Sequence, residues 1–303
     1  MSRTIGAADQ GEGAGRQLGD GQRLVAFVAA LGLVFGAALV VGSVVGDGGD
    51  DAASEGVTVK GLRDSEDGYR LDVLTTQLGA QVPQEFRFLV AGPDGTPVAS
   101  YRDRHERPLH LILVSRDLTV FRHVHPTLRG DGVWAIELEP LASGPYRVYA
   151  DFAPVGGPEL TLGRDVMVEG EHRPAPLPAA GSTAVVDGYQ LDLTGAPRAG
   201  GEGQVTLTVR RDGRPVGDLE PYLGALGHLV AIRGSDLAYL HVHPLDGRAG
   251  PGEVPFVVEA PSTGIYRLFF DFSHAGTVRT AAFTVEVSAA RNGPPTTAVH
   301  GGH

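Results

Sequence analysis

The residues best suited to chemistry in this chain are histidines that recur at a fixed spacing. The sequence His-Val-His-Pro occurs at His123–Pro126 and again at His241–Pro244. Another histidine lies at the same distance before each copy, at His110 and His228. Imidazole is the commonest protein ligand for transition metals, and side chains at positions i and i+2 of a strand share one face. The repeated triplet therefore predicts one metal site in each half of the chain.

Each triplet fits a β-hairpin whose turn would gather the three rings on one side of a sheet. In the first unit, a two-residue turn at Arg116–Asp117 would place His110 opposite His123. His125 would then lie two residues further along the same face. The corresponding turn and histidines of the second unit are Gly234–Ser235, His228, His241 and His243. Three imidazoles on one patch could surround one ion.

A carboxylate is a candidate fourth group at each site. In an immunoglobulin-like sheet the first strand of the hairpin runs antiparallel to strand F. This arrangement would place Asp151 near His110, and Asp271 near His228. Either acid could be a ligand or could orient a ligating imidazole. The alternative is a structural role, since acids also end strands by solvating an exposed edge.

The donor set indicates which metals to expect. Imidazole sites with one carboxylate suit Cu(II), Zn(II) or Ni(II), and the affinity order favours Cu(II). The chain has no Cys and only two Met, so thiolate sites and a Met-rich Cu(I) site are excluded. Cu(II) is the first expectation and Zn(II) the second.

A longer repeat underlies the histidines and points to the fold. Asp67–Val73 matches Asp187–Leu193, and Gly144–Phe152 matches Gly264–Phe272. Short apolar and aromatic segments separated by turn residues predict β-sandwiches. The Gly-x-Tyr that begins the second pair of segments is typical of the tyrosine corner of immunoglobulin-like domains. We therefore expect an all-β fold, with two tandem immunoglobulin-like β-sandwiches after one N-terminal transmembrane helix.

Composition divides the chain into seven parts. The predicted parts are a cytoplasmic N-terminal segment (1–23), a transmembrane helix (24–46), an acidic stalk (47–55), a first sandwich (56–168), a Pro-rich linker (169–181), a second sandwich (182–288) and a disordered tail (289–303). His105 and His274 have no counterpart in the other unit and are expected at the surface.

The apolar stretch Leu24–Gly46 contains no charged side chain. As a helix it would span about 34 Å, enough for a hydrocarbon core of about 30 Å. Arg16 and Arg23 precede it and acidic residues follow it, so the positive-inside rule places the N-terminus in the cytoplasm and the body outside. A cleaved signal peptide, which would leave a secreted body, is the alternative. The net charge of −11 argues against nucleic acid as a partner.

The expected architecture of the chain resembles that of the small periplasmic copper-resistance sandwiches of the C type. It is also similar to actinobacterial membrane-anchored or secreted tandem immunoglobulin-like proteins that carry His-x-His-Pro, a resemblance that covers residues 56–288. The resemblance implies copper. The chain departs from the copper-resistance family in lacking a Met-rich segment and a histidine at a mature N-terminus.

These features predict a non-enzymatic, membrane-anchored, extracytoplasmic metal-binding protein that buffers, senses or hands over metal. Its partners would be the metal ion and, through the N-terminal helix, the membrane. The alternative is a structural or adhesive tandem module without metal. A zinc hydrolase is a third possibility, which the absence of a general base at recognisable spacing disfavours.

Overall fold

The computed structural model describes residues 59–240, 242–245 and 250–289. Every regular element within these ranges is a β-strand. The predicted cytoplasmic segment, transmembrane helix and acidic stalk lie outside the described residues, as does the tail beyond residue 289. Within the described ranges, no helix could span a membrane.

The first sandwich consists of two sheets. Its strands are Ser65–Glu66 (β1), Tyr69–Val73 (β2), Gln84–Ala91 (β3), Leu109–Ser115 (β4), Phe121–Val124 (β5), Thr127–Leu128 (β6), Val133–Leu138 (β7), Gly144–Phe152 (β8) and Leu160–Val168 (β9). One sheet has the order β1-β2-β3-β7-β6 and the other has the order β5-β4-β8-β9.

The second sandwich repeats this plan. Its strands are Thr183–Val186 (β10), Tyr189–Gly195 (β11), Arg198–Ala199 (β12), Gly201–Arg211 (β13), Arg214–Pro215 (β14), His228–Arg233 (β15), Tyr239–Leu240 (β16), Val242–Pro244 (β17), Glu253–Ala260 (β18), Gly264–His274 (β19) and Thr277–Val287 (β20). One sheet has the order β10-β11-β13-β12-β18-β17, with β14 paired to β13, and the other has the order β16-β15-β19-β20. The prediction of two tandem immunoglobulin-like sandwiches is confirmed.

Burial patterns show which strands lie between two layers. In β18, buried and partly buried residues alternate, as in a sheet with one packed face. Every residue of β4 is buried, because one face packs in its own sandwich and the other faces the second sandwich. The second sandwich contains the predicted tyrosine corner, in which the Tyr266 hydroxyl donates to the Ser262 carbonyl at 2.8 Å.

The two sandwiches pack through the sheets that contain the hairpins. Phe121 stacks on Phe269 with ring centroids 4.1 Å apart, and Tyr149 contacts Tyr239 with centroids 5.5 Å apart. Phe121 and Tyr239 occupy equivalent hairpin positions in the two units, as Tyr149 and Phe269 do on the neighbouring strands. The interface is therefore close to twofold symmetric. Its buried apolar residues are Ile112, Val114, Leu118, Phe121, Tyr149, Val230, Ile232, Leu237 and Phe269.

The first hairpin has a longer turn than the sequence predicts. Ile112 pairs with His123. The pairing continues toward the turn as far as Ser115, whose amide donates to the Val120 carbonyl. The two-residue turn at Arg116–Asp117 is therefore wrong, and residues 116–119 connect the strands. The second hairpin shows the same displacement and its predicted turn at 234–235 is also wrong, because its pairing places Ile232 opposite Tyr239.

Side-chain hydrogen bonds close the longer turn of the first hairpin. The Asp117 carboxylate accepts from the Ser115 hydroxyl at 2.6 Å and from the Thr119 amide at 3.2 Å. Leu118 adopts a left-handed φ of 59°. An aspartate that binds the backbone two residues ahead offers a local alternative to the compact turn.

The displacement changes the paired residues but not the face. Leu111 pairs with Val124, which brings His110 level with His125 and not with His123. Since side-chain direction repeats every two residues, a register shift of two keeps the histidines on the predicted side.

The interface also contains a buried hydrogen bond that joins the two sandwiches. The Tyr149 hydroxyl donates to the Leu237 carbonyl at 2.6 Å. Tyr149→Phe keeps the ring but leaves this buried carbonyl without its donor, so we expect a loss of about 1–3 kcal/mol in the free energy of unfolding. Urea denaturation followed by the fluorescence of the single tryptophan, Trp134, measures the loss. An unchanged urea midpoint would show that the hydrogen bond contributes nothing net.

Candidate metal centre

Three imidazoles converge at the edge of the first hairpin. His110 Nδ1 lies 3.0 Å from His123 Nε2 and 3.2 Å from His125 Nε2. The three ligand atoms all lie within 4.8 Å of one another. β4 positions His110, and β5 positions His123. His125 follows β5 at the point where the chain crosses to the other sheet.

Hydrogen bonds fix which nitrogen of two of these rings carries the proton. His110 Nε2 lies 2.8 Å from the Arg104 carbonyl, and His123 Nδ1 lies 2.8 Å from the Asp271 carboxylate. These oxygens only accept, so both nitrogens donate, and the other nitrogen of each neutral ring has a lone pair. His110 Nδ1 and His123 Nε2 therefore face each other as two acceptors. Such a pair needs a cation between them, either a proton or a metal ion.

Burial favours the neutral form, which binds metals, for two histidines of this group, His110 and His125. His110 is 4% exposed. Its burial and the neighbouring His123 lower its pKa to about 4. Burial, followed by His123 and His110, lowers the pKa of His125 to about 3. These lowered pKa values favour an unprotonated His110 and His125 at neutral pH, as metal binding requires.

Two further histidines extend the cluster toward the second sandwich. The His105 ring centroid lies 5.3 Å from that of His228 and 6.0 Å from that of His110. Burial lowers the pKa of both His105 and His228. His105 is exposed, as the sequence predicts, and it lies in a turn with φ of 46° beside the triad. His274, also predicted at the surface, binds the Tyr189 hydroxyl and Asp218.

Asp151 lies beside His110 in the sheet, at the register position expected from the sequence. Its carboxylate accepts from Arg104 at 2.6 Å and from the Thr161 hydroxyl at 3.0 Å. Arg104 thus neutralises this acid, and no contact joins its carboxylate to the three ligand atoms.

Asp271 lies beside His228 in the second sandwich, but its carboxylate contacts a histidine of the first sandwich. It accepts from His123 Nδ1 at 2.8 Å and from the Thr280 hydroxyl at 2.5 Å. The sequence predicts Asp271 at a site within its own unit. The structure places it behind a histidine of the first sandwich.

The described residues of the second hairpin do not form a triad like that of the first. His241 lies outside the described residues. His243 is half exposed on β17, where its Nε2 lies 4.0 Å from Glu259. His228 Nε2 lies 2.7 Å from the Tyr222 carbonyl, on the far side of the cluster. Among the described residues of this hairpin, the last pair includes Leu240, and Val242 already pairs in the other sheet.

Several solved structures are similar to this chain. The adhesin FdeC of Escherichia coli is 15% identical with a TM-score of 0.26, over 74% of this chain and 65% of that one. A DUF4426 family protein of Pseudomonas aeruginosa is 10% identical with a TM-score of 0.29, over 36% and 99%. The adhesin InvE of Yersinia pseudotuberculosis is 11% identical with a TM-score of 0.22, over 73% and 59%. The chain thus spans less than two thirds of both adhesin structures.

No curated protein matches the sequence of this chain. A family model does match it, twice, over residues 64–170 and 184–289, which together make up most of the sequence. The chain therefore belongs to the family described as Domain of unknown function (DUF8832), and its two copies of that domain correspond to the two sandwiches.

Proposed function

We propose that this protein binds a transition-metal ion, Cu(II) first and Zn(II) second, through His110, His123 and His125. The convergence of their ring nitrogens, at 3.0 and 3.2 Å, carries the proposal. Nitrogens bound to one ion at about 2.0–2.1 Å lie roughly 3 Å apart. His110 Nδ1 therefore already lies at this spacing from a nitrogen of each of the other two histidines.

The chemistry of the cluster supports a metal over a purely structural role. Structural buried histidines place each ring nitrogen against a complementary partner. Here the outer nitrogens of His110 and His123 are satisfied by oxygen acceptors, whereas their inner nitrogens face each other. A divalent ion would satisfy both inner lone pairs and that of His125 at once. The all-nitrogen donor set favours Cu(II) by the affinity order, and the resemblance to copper-resistance sandwiches supports the same metal.

The proposed role is non-enzymatic: buffering, sensing or handing over metal outside the cytoplasm. The uncharged segment 24–46, with basic residues before it and acidic residues after it, supports a single-pass anchor that holds both sandwiches at the outer face of the membrane. Three ligands leave a coordination position open for a donor or an acceptor of the ion.

The competing proposal is a structural or adhesive module that presents two sandwiches without metal. Their packing through an extensive apolar interface supports it, because such a pair is a rigid spacer. In it, one shared proton rather than a metal ion satisfies the facing nitrogens of His110 and His123, and this difference makes the two proposals separable by a binding measurement.

The test is a metal titration of the full-length chain in detergent, without a polyhistidine tag. His300 and His303 are replaced by alanine in every protein to remove background binding by the tail. With Cu(II) and separately with Zn(II), His123→Ala/His125→Ala is expected to bind one ion fewer than the unsubstituted triad. His172→Ala is the matched control, because His172 binds the Ser143 carbonyl away from the cluster.

A triad variant that binds as many ions as the unsubstituted triad would reject the metal proposal and leave the structural module. Loss of an ion in both proteins would show binding elsewhere and reject the triad. Elemental analysis of the dialysed proteins gives the count independently of the titration.

A further inference from the structure

The triad of the first sandwich is completed by a buried acid of the second. The side chains of His123 and Asp271 are 6% and 4% exposed, with Nδ1 and Oδ2 2.8 Å apart. The other carboxylate oxygen of Asp271 accepts from the Thr280 hydroxyl on the adjacent strand at 2.5 Å. Both oxygens are therefore fixed, and the carboxylate points out of its own sandwich.

Comparison of the two units shows why this acid crosses the interface. Arg104 and Tyr222 occupy equivalent turns, since each carbonyl accepts from the first histidine of its own unit. In the first unit, the Arg104 guanidinium reaches Asp151 at 2.6 Å. Tyr222 has no charge to offer Asp271. Within the described part of the chain, the only ion-pair partner of Asp271 is His123.

A buried carboxylate without a fixed cation is costly, and this one touches a ring whose other nitrogen points into the triad. A carboxylate that accepts from a ligating imidazole fixes its tautomer and raises its basicity. The negative charge of the carboxylate also offsets part of the positive charge of an ion bound on the opposite side of that ring.

We infer that Asp271 is a positioning residue of the metal centre, so that metal affinity depends on docking of the second sandwich against the first. This inference rests on the function proposed above and adds its regulation. Coupling between sites is reciprocal. An ion on His123 Nε2 therefore strengthens docking of the sandwiches by the same factor by which docking strengthens metal binding. The protein would hold metal tightly only while its two domains remain docked.

The test compares Asp271→Asn with Asp165→Asn in the tail-substituted full-length chain. Asparagine keeps the shape of the side chain but removes the charge. We expect Zn(II) and Cu(II) affinity to fall 10–100-fold in Asp271→Asn. Asp165 lies on β9 and pairs with Arg147 of β8, so its substitution removes one charge away from the cluster. Its affinity is expected to stay within about threefold of the unsubstituted chain.

A second measurement needs no variant and therefore holds even if Asp271→Asn does not fold. In the ¹⁵N-labelled, Zn(II)-loaded chain, the imidazole resonances of His123 should show a protonated Nδ1 and a metal-bound Nε2. Metal bound through Nδ1, or equal affinities of the two aspartate variants, would overturn the inference while leaving the triad in place. A chain that binds no metal at the triad would instead overturn the proposed function.

Discussion

Acidification from pH 7 to pH 4.5 is expected to lower the free energy of unfolding of the metal-free protein by more than about 2 kcal/mol. The cause is the buried imidazole cluster. Burial and the neighbouring His123 lower the pKa of His110 to about 4 from an ordinary value of 6.5. His125, at about 3, changes in the same direction.

The sign follows from which state binds protons. In the unfolded chain His110 takes up its proton near pH 6.5, whereas in the folded protein it does so only near pH 4. Between these values the unfolded chain holds more protons, so stability falls as pH falls, by up to about 1.4 kcal/mol per pH unit for each such group. His110 alone accounts for about 2 kcal/mol by pH 4.5. His105 and His228, whose pKa values are also lowered, add to the loss.

Urea denaturation at half-unit steps of pH, with Trp134 fluorescence as the probe, measures this dependence. His125→Asn should flatten the curve between pH 6.5 and 4.5, with His172→Asn as the control for loss of one histidine. A metal-free protein whose stability is constant over this range would contradict the burial of neutral imidazoles. Added Zn(II) should shift the acid limb to lower pH, because the ion occupies the same lone pairs as the protons.

The convergence of the triad could be predicted because it depends on parity. His123 and His125 share a face of the strand whatever the turn length. His110 lies on the same face if the residue paired with it is His123 or is an even number of positions from His123. The predicted turn was wrong, since Asp117 closes a longer loop through Ser115 and Thr119. The observed register differs from the predicted one by two residues, so the histidines still lie on the predicted face of the sheet.

The assignment of the acids could not be predicted, because it depends on how two sheets dock. The sequence predicts contacts within each unit, which place Asp271 beside His228. The backbone pairing of the second sandwich has these two residues opposite each other. Whether the carboxylate then turns to its own unit or to the other depends on local charge. In the first unit, Arg104 forms an ion pair with Asp151. Tyr222 carries no charge, so it cannot form an ion pair with Asp271, which pairs with His123 instead. The ring contact of the exposed His105 with His228 also depends on how the sandwiches pack, because the two histidines belong to different units.

Truncation of Phe269 to alanine is expected to cost about 3–5 kcal/mol of stability, as for other large aromatic side chains in packed interiors. Phe269 is 2% exposed and stacks on Phe121 with an interplanar angle of 9°. The substitution leaves a cavity between the sandwiches, which their sheets cannot close without breaking the paired Tyr149 contacts. Val278→Ala on the adjacent strand is the control, because Val278 is 44% exposed and its truncation should change stability by less than about 0.5 kcal/mol.

The same substitution tests whether the interface and the metal centre act together. Phe269 and Asp271 are two residues apart on one face of β19, and they contact Phe121 and His123, also two apart on β5. Loosening the aromatic stack should therefore displace the carboxylate that orients His123. Phe269→Ala is expected to weaken metal binding although every ligand is retained, whereas Val278→Ala should not. Full metal affinity in a folded Phe269→Ala protein would show that the triad is organised by the first sandwich alone.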